Sequence, residues 1–226
     1  MGNKTQLISS YGYLIGCFLL IPASLCLIYE KVLFGSICIY IVACSFLTFA
    51  AFIDFFECLS TKPKITNIKV GDVSSSDTEG MINNNSDNYD EKYKNWVKQM
   101  MITVFYVNGG ILFLLGSILY WPDFSSETNN AGTWVFRFGS INYLCGSFLG
   151  LYNNCRRTNT STTFVNITCM WNSVIIQYIF GALCFILGGI LSQTGNKFSS
   201  ETWLVGSVLF FGGALTGVIT THKYWN

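Results

Sequence analysis

Five stretches of this chain run the length of a bilayer crossing without one charged side chain: Ile8 to Ile28, Val32 to Ile53, Met100 to Trp121, Ser173 to Ser192 and Trp203 to Thr221. An α-helix needs about 20 mainly apolar residues to cross about 30 Å of hydrocarbon, so each is long enough. Buried helices of a soluble domain can be as apolar, but they need a charged shell around them. Here 11% of the 226 residues are charged, against about 25% in an ordinary soluble domain. The charges are also uneven, with six basic and six acidic residues gathered between Cys58 and Lys98. This excludes a nucleic-acid binder, a disordered chain and a soluble enzyme. The runs lack the apolar/polar alternation of barrel strands, so the fold class is an all-α membrane protein.

A sixth span is expected over Trp134 to Tyr152. Arg137 lies one turn inside it, a depth from which a long arginine stem reaches the interface. The first run is not read as a removable signal peptide, because it is too long and Tyr29-Glu30-Lys31 is no small-residue cleavage site. Pro22 within it frees the carbonyl of Phe18 and predicts a kink.

Six spans put both termini, the Cys58–Lys98 segment and the loop after the fourth span on one side. Lys4, the six lysines of the long segment, Arg156, Arg157 and Lys223 all fall there. The positive-inside bias therefore places both termini in the cytoplasm or its equivalent, in a membrane that the sequence does not specify. Asn3, Asn84, Asn159 and Asn166 head glycosylation sequons, but on this inner side they are coincidental. The nine cysteines are expected as free thiols, within spans or on a reducing side, with Cys58 a juxtamembrane palmitoylation candidate.

The expected organisation is a first hairpin at 1–57, a cytoplasmic linker at 58–98, a second hairpin at 99–153, and a third with a short tail at 154–226. Within the linker, Thr61 to Asn88 is rich in Ser, Asn and Asp and reads as disordered. Asn88 to Lys98 reads as a short juxtamembrane helix, with Tyr93 and Trp96 at headgroup level and lysines toward anionic lipid.

The hairpins share an internal pattern. Tyr106, Gly109, Phe113 and Gly116 recur 72 residues later as Tyr178, Gly181, Phe185 and Gly188, and more loosely as Tyr13, Gly16, Leu20 and Ala23. The spacing places all four on one helix face. Gly139-Ser140, Gly146 and Gly150 in span four match Gly206-Ser207, Gly213 and Gly217 in span six, while span two keeps only Gly35-Ser36. Small residues at four-residue spacing let helix backbones approach closely in lipid, so these glycines are expected to be helix-packing positions. Three helical hairpins follow, two alike and the first diverged.

The elements Tyr106-x-x-Gly109-x-x-x-Phe113-x-x-Gly116-Ser117, Thr133-Trp134 and Gly139-Ser140 resemble the YrhK-like domain, a small two-span membrane hairpin. Tyr178 through Gly217 is similar, with Gly189 where the first copy has Ser117. The resemblance implies a helical-hairpin fold and brings no catalytic residues with it.

Material for catalysis is scarce. His222 is the only histidine, read as a solvated tail residue. Asp54 and Glu57 are one turn apart at the inner end of span two, where carboxylates commonly mark the membrane boundary. No enzyme activity, cofactor or metal site is expected. The in-span polar residues are Asn108, Asn142 and Gln177, and Asn142, on the face of Gly139 and Gly146, is expected to bond across a helix seam. The leading functional expectation is a structural, assembly or accessory subunit. Its expected partners are membrane lipids and other membrane subunits or copies of itself, with no nucleic acid. The alternative is a channel or transporter for a small neutral solute, which requires polar positions to line one cavity.

Overall fold

The computed structural model describes residues 2–28, 33–63, 75–121, 126–155 and 162–225. It contains six helices: α1 (Gly2–Ile28), α2 (Leu33–Ser60), α3 (Ser75–Leu119), α4 (Ser126–Cys155), α5 (Thr162–Gln193) and α6 (Ser199–Trp225). No strand occurs among the described residues. All helices but α4 are long and apolar enough to cross a membrane. In a solvent without hydrogen-bonding partners, a helix satisfies its backbone within the segment, which is why these runs form helices. Helix α1 continues through Pro22.

Each helix packs against two others. Extensive contacts join α1 to α2, α3 to α4 and α5 to α6, and α2–α3, α4–α5 and α1–α6 contacts close the six into a ring. The turn from α5 into α6 shows why the chain reverses there. Gly195 adopts φ 67°, the left-handed conformation that ends many helices. The amide of Asn196 bonds back to Leu191 at 2.9 Å. Its side chain then accepts from the amide of Phe198 at 3.0 Å, opening α6.

The same close approach recurs in the three sequential pairs. A Cβ on Gly109 would lie 3.1 Å from the Gly139 carbonyl, and one on Gly181 would lie 3.2 Å from the Gly206 carbonyl. On Gly16 it would lie 3.0 Å from the carbonyl of Ala43. This corrects the register expected for span two. Ala43-Cys44, not Gly35-Ser36, stand where Gly139-Ser140 and Gly206-Ser207 stand. Ser36 instead donates to the Ala23 carbonyl at 2.7 Å. Two turns on, the pairs trade bulk: Gly146 faces Phe105 in α4 against α3, whereas Ala50 faces Gly12 in α2 against α1.

The ring is filled by aromatic side chains on its axis. Phe113 and Phe185, 2% and 1% exposed, stack with Phe136, Tyr143 and Phe210 at centroid separations of 4.5–5.8 Å. Leu20 and Leu47 take the corresponding inward places in the first pair. The outer surface is the reverse of a soluble protein's. Phe18, Phe49, Phe180, Leu187, Val205 and Ile219 are exposed, while Ser24, Ser36, Ser140, Ser147 and Ser207 are fully buried.

One expectation about the linker changes. Residues 64–74 lie outside the described residues, but from Ser75 the backbone is helical and continuous with α3. Once a helix is nucleated in the bundle, each added residue gains a hydrogen bond for one pair of dihedrals fixed, so it propagates outward. The expected juxtamembrane helix, Asn88 to Lys98, is the stretch of α3 that leads into the span. At 45 residues, α3 is about 68 Å long and exceeds any hydrocarbon core.

Candidate functional site

Beneath the aromatic centre, the helices enclose a cavity of about 920 Å³ that opens at the end of the bundle holding the start of α1 and the end of α2. All six contribute, through Ser9, Asp54, Thr103, Asn153, Val174 and Gly217 among others. Its deep wall is a set of four tyrosines, Tyr13, Tyr106, Tyr143 and Tyr178. Three of them open the repeated pattern in α1, α3 and α5. Beyond them the void between Tyr13, Phe113, Tyr143 and Phe210 shrinks to about 10 Å³, at most one water. The cavity is open on one side and stopped by aromatic rings.

The repeat accounts for both the space and its polarity. Counting eleven residues, about three turns, from the close contacts at Ala43, Gly139 and Gly206 leads to Asp54, Gly150 and Gly217. All three line the cavity. A Cβ on Gly217 would meet nothing within 4 Å, and one on Gly150 would meet only Ile175, from 3.4 Å. The missing side chains are the cavity's space, and at the third position a carboxylate faces it.

The hydroxyls of Tyr13, Tyr106, Tyr143 and Tyr178 are all within electrostatic reach of Asp54. Ser9 and Tyr13 lie nearest its carboxylate, although the Ser9 hydroxyl donates to the Ala50 carbonyl at 3.4 Å and the Tyr13 hydroxyl stops short of a hydrogen bond. Tyr106 pairs with Ser147 at 3.2 Å, and the Tyr143 hydroxyl is buried without a partner. No cationic side chain acts on Asp54 among the described residues. Lys92 lines the mouth but is exposed. Trp96, also at the mouth, donates to the Cys58 carbonyl at 2.8 Å and lies under Lys62. Among the described residues no three His, Cys, Asp or Glu side chains gather into a set able to hold a metal.

All ten repeat glycines are buried. Gly109, Gly116, Gly139, Gly181 and Gly206 meet a backbone carbonyl of the paired helix 3.1–3.2 Å from where a Cβ would stand. Gly188 lies against Trp203 and the Ser199 carbonyl, Gly146 against Tyr106, and Gly213 against Tyr178. Gly150 and Gly217 are cavity wall rather than tight contact.

The in-span amides lie elsewhere. Asn108 is exposed on the outside of α3, and Gln177 packs on Gly212 of α6. Asn142 does not bond across a seam. It donates to the Phe138 carbonyl of its own helix at 2.8 Å, because the seam position is taken by the neighbouring Tyr143 ring against Gly109. None of the three lines the cavity. His222 is not simply solvated, since it pairs with the Tyr11 hydroxyl at 2.9 Å across the α1–α6 seam. Cys58 is 6% exposed, which counts against lipidation there, and none of the nine cysteines is in a disulfide.

The cavity residues that sequence reasoning passed over are Asp54, read as a boundary marker, and the tyrosines, read only as repeat markers. The recurrence of Tyr at 13, 106 and 178 was the available signal. A protein-family model described as YrhK-like protein matches residues 99–155. The match runs from Gln99 of α3 to the end of α4 and so covers one packed pair and part of the cavity wall. No curated protein and no solved structure gives a significant match.

Proposed function

We propose that this chain is a six-span membrane protein of three hairpin repeats, whose function is to bind and pass a small polar solute through the one-sided cavity. The observation that carries this reading is the cavity itself, about 920 Å³ of space held open by glycines at two of three equivalent positions. That volume lies in the range of small-molecule sites. The role is non-enzymatic. The aromatic rings are the gate that must part for passage.

The sixth span is supported by α4's outer face. Trp134, Phe138, Ile141, Phe148 and Tyr152 are exposed there at helical spacing, so lipid meets an apolar stripe although the helix as a whole is less apolar. Positive-inside bias puts the cavity mouth and both termini on the cytoplasmic side. An accessory-subunit role would need small-residue faces free for a partner. The repeat glycines are instead buried, most of them against the chain's own helices, and the outer surface suits lipid.

Reconstituted liposomes test the proposal. Gradients of glycerol, urea and propylammonium should produce a protein-dependent flux, or saturable binding, for at least one solute. Gly217→Phe, which fills the open space, should abolish it. Flux and binding absent for all three, with the protein shown to be folded, would refute the reading.

A further inference from the structure

We infer that the cavity is built for a small primary ammonium, seated between Asp54 and the space left by Gly150 and Gly217. This rests on the solute-cavity reading above and sharpens it from a small polar solute to a cation.

Asp54 is half-buried on the wall of the cavity, and a carboxylate partly withdrawn from water is stabilised by a compensating charge or donors. Asp54 has the hydroxyls of Ser9 and Tyr13 nearby and no cation acting on it among the described residues. The repeat sharpens the point, since small residues at the two other equivalent positions leave empty volume across from the carboxylate. The wall around it is acceptor-rich and aromatic. Tyr143 is 3% exposed, faces the cavity, and its hydroxyl has no partner.

A primary ammonium has three N–H donors. One or two meet the carboxylate in charge-assisted bonds and the remainder a hydroxyl oxygen, while the tyrosine rings favour a cation over a neutral group. An anion has no cationic side chain at the deep wall to meet. A quaternary ammonium satisfies the charge but leaves the hydroxyl and carboxylate without donors.

The test uses the full chain in detergent or nanodiscs, titrated with propylammonium, propanol, propionate and tetramethylammonium at constant sodium chloride. Binding is followed by calorimetry and by the fluorescence of the tryptophans, of which Trp96 and Trp171 line the cavity. Propylammonium should bind saturably and most tightly of the four. Asp54→Asn, which keeps the shape and removes the charge, should weaken it about ten-fold or more. If Asp54→Asn does not fold, Gly217→Phe should lose propylammonium binding while keeping the wild-type Tm. Propanol binding as well as propylammonium, or an unchanged affinity in Asp54→Asn, overturns the cation assignment and leaves the cavity reading standing. No binding of any probe here, together with no flux or binding in the liposomes, overturns both.

Discussion

Arg137 of α4 occupies the room left by the absent side chain of Gly189 on α5. Its guanidinium donates to the Gly189 carbonyl and lies over Trp134, 4.8 Å from the ring centroid. A Cβ on Gly189 would stand 2.9 Å from Nε and 3.0 Å from Cγ of the arginine. Ser24 and Ser117 hold the equivalent places in α1 and α3, where Ser24 pairs with Ser207 at 3.0 Å and Ser117 with Cys44 at 3.5 Å. The one departure from serine thus coincides with the one buried arginine among the described residues.

This relationship predicts a reversal of sign. Gly189→Ala should destabilise the wild-type protein by about 1–3 kcal/mol, as overpacking does. In an Arg137→Ala background the same change should be neutral or stabilising by up to about 1 kcal/mol from helix propensity. Thermal melts of the four proteins measure the coupling. Equal effects in both backgrounds would show that the arginine does not use the glycine's space.

The two glycines of Gly213-x-x-x-Gly217 should respond in opposite directions. A Cβ on Gly213 would come within 2.7 Å of the Tyr178 ring and 3.3 Å of the Val174 carbonyl, so Gly213→Leu should lower Tm at a cost of about 1–3 kcal/mol. Gly217 has open space in place of a Cβ, so Gly217→Ala should hold or raise Tm by helix propensity, up to about 1 kcal/mol. Matching losses at both sites would mean that the cavity closes in the membrane.

Buried hydroxyls and Asn142 should separate as well. Ser24 is fully buried and bonds Tyr40 at 2.6 Å as well as Ser207. Ser207 keeps its bond to the Trp203 carbonyl at 2.9 Å, but Ser24→Ala takes the partner from the Tyr40 hydroxyl and should cost about 1–3 kcal/mol. Asn142 bonds only within its own helix, so Asn142→Ala should change stability by less than about 0.5 kcal/mol. A large loss at Asn142 would reinstate it as a contact between helices.

Thiol labelling gives both the orientation and the packing. Cys155 and Cys169 are exposed while Cys58 is buried, all near the cavity end of the bundle. A membrane-impermeant maleimide should miss all three from outside intact cells. In inverted vesicles it should modify Cys155 and Cys169 quickly and Cys58 slowly. Labelling of Cys155 or Cys169 from outside would invert the proposed topology.

The helices were legible because lipid imposes its demand on every residue of a span, so charge-free runs mark them without reference to their neighbours. The contact glycines of α3 to α6 were legible for a related reason. Where two backbones touch, only a missing side chain fits, and Gly109 with Gly139 repeats as Gly181 with Gly206. The α2 register was not legible, because Ala43, Cys44 and Leu47 replace Gly, Ser and an aromatic, and the match exists only in what each residue touches. Likewise α4 reads weakly by average hydropathy, since its apolar residues gather on one outward face.

What the tertiary structure alone decided is what lies opposite each residue. Gly213 and Gly217 share a helix face and a spacing, yet one meets a tyrosine ring and the other meets space. Asp54 in sequence is a carboxylate at the end of an apolar run, a common boundary marker. It becomes the wall of a cavity only because the positions equivalent to it in the other two pairs carry no side chain. Periodicity places a residue on a face; whether that face is filled depends on helices far away in the chain, and that is settled only by the closure of the ring.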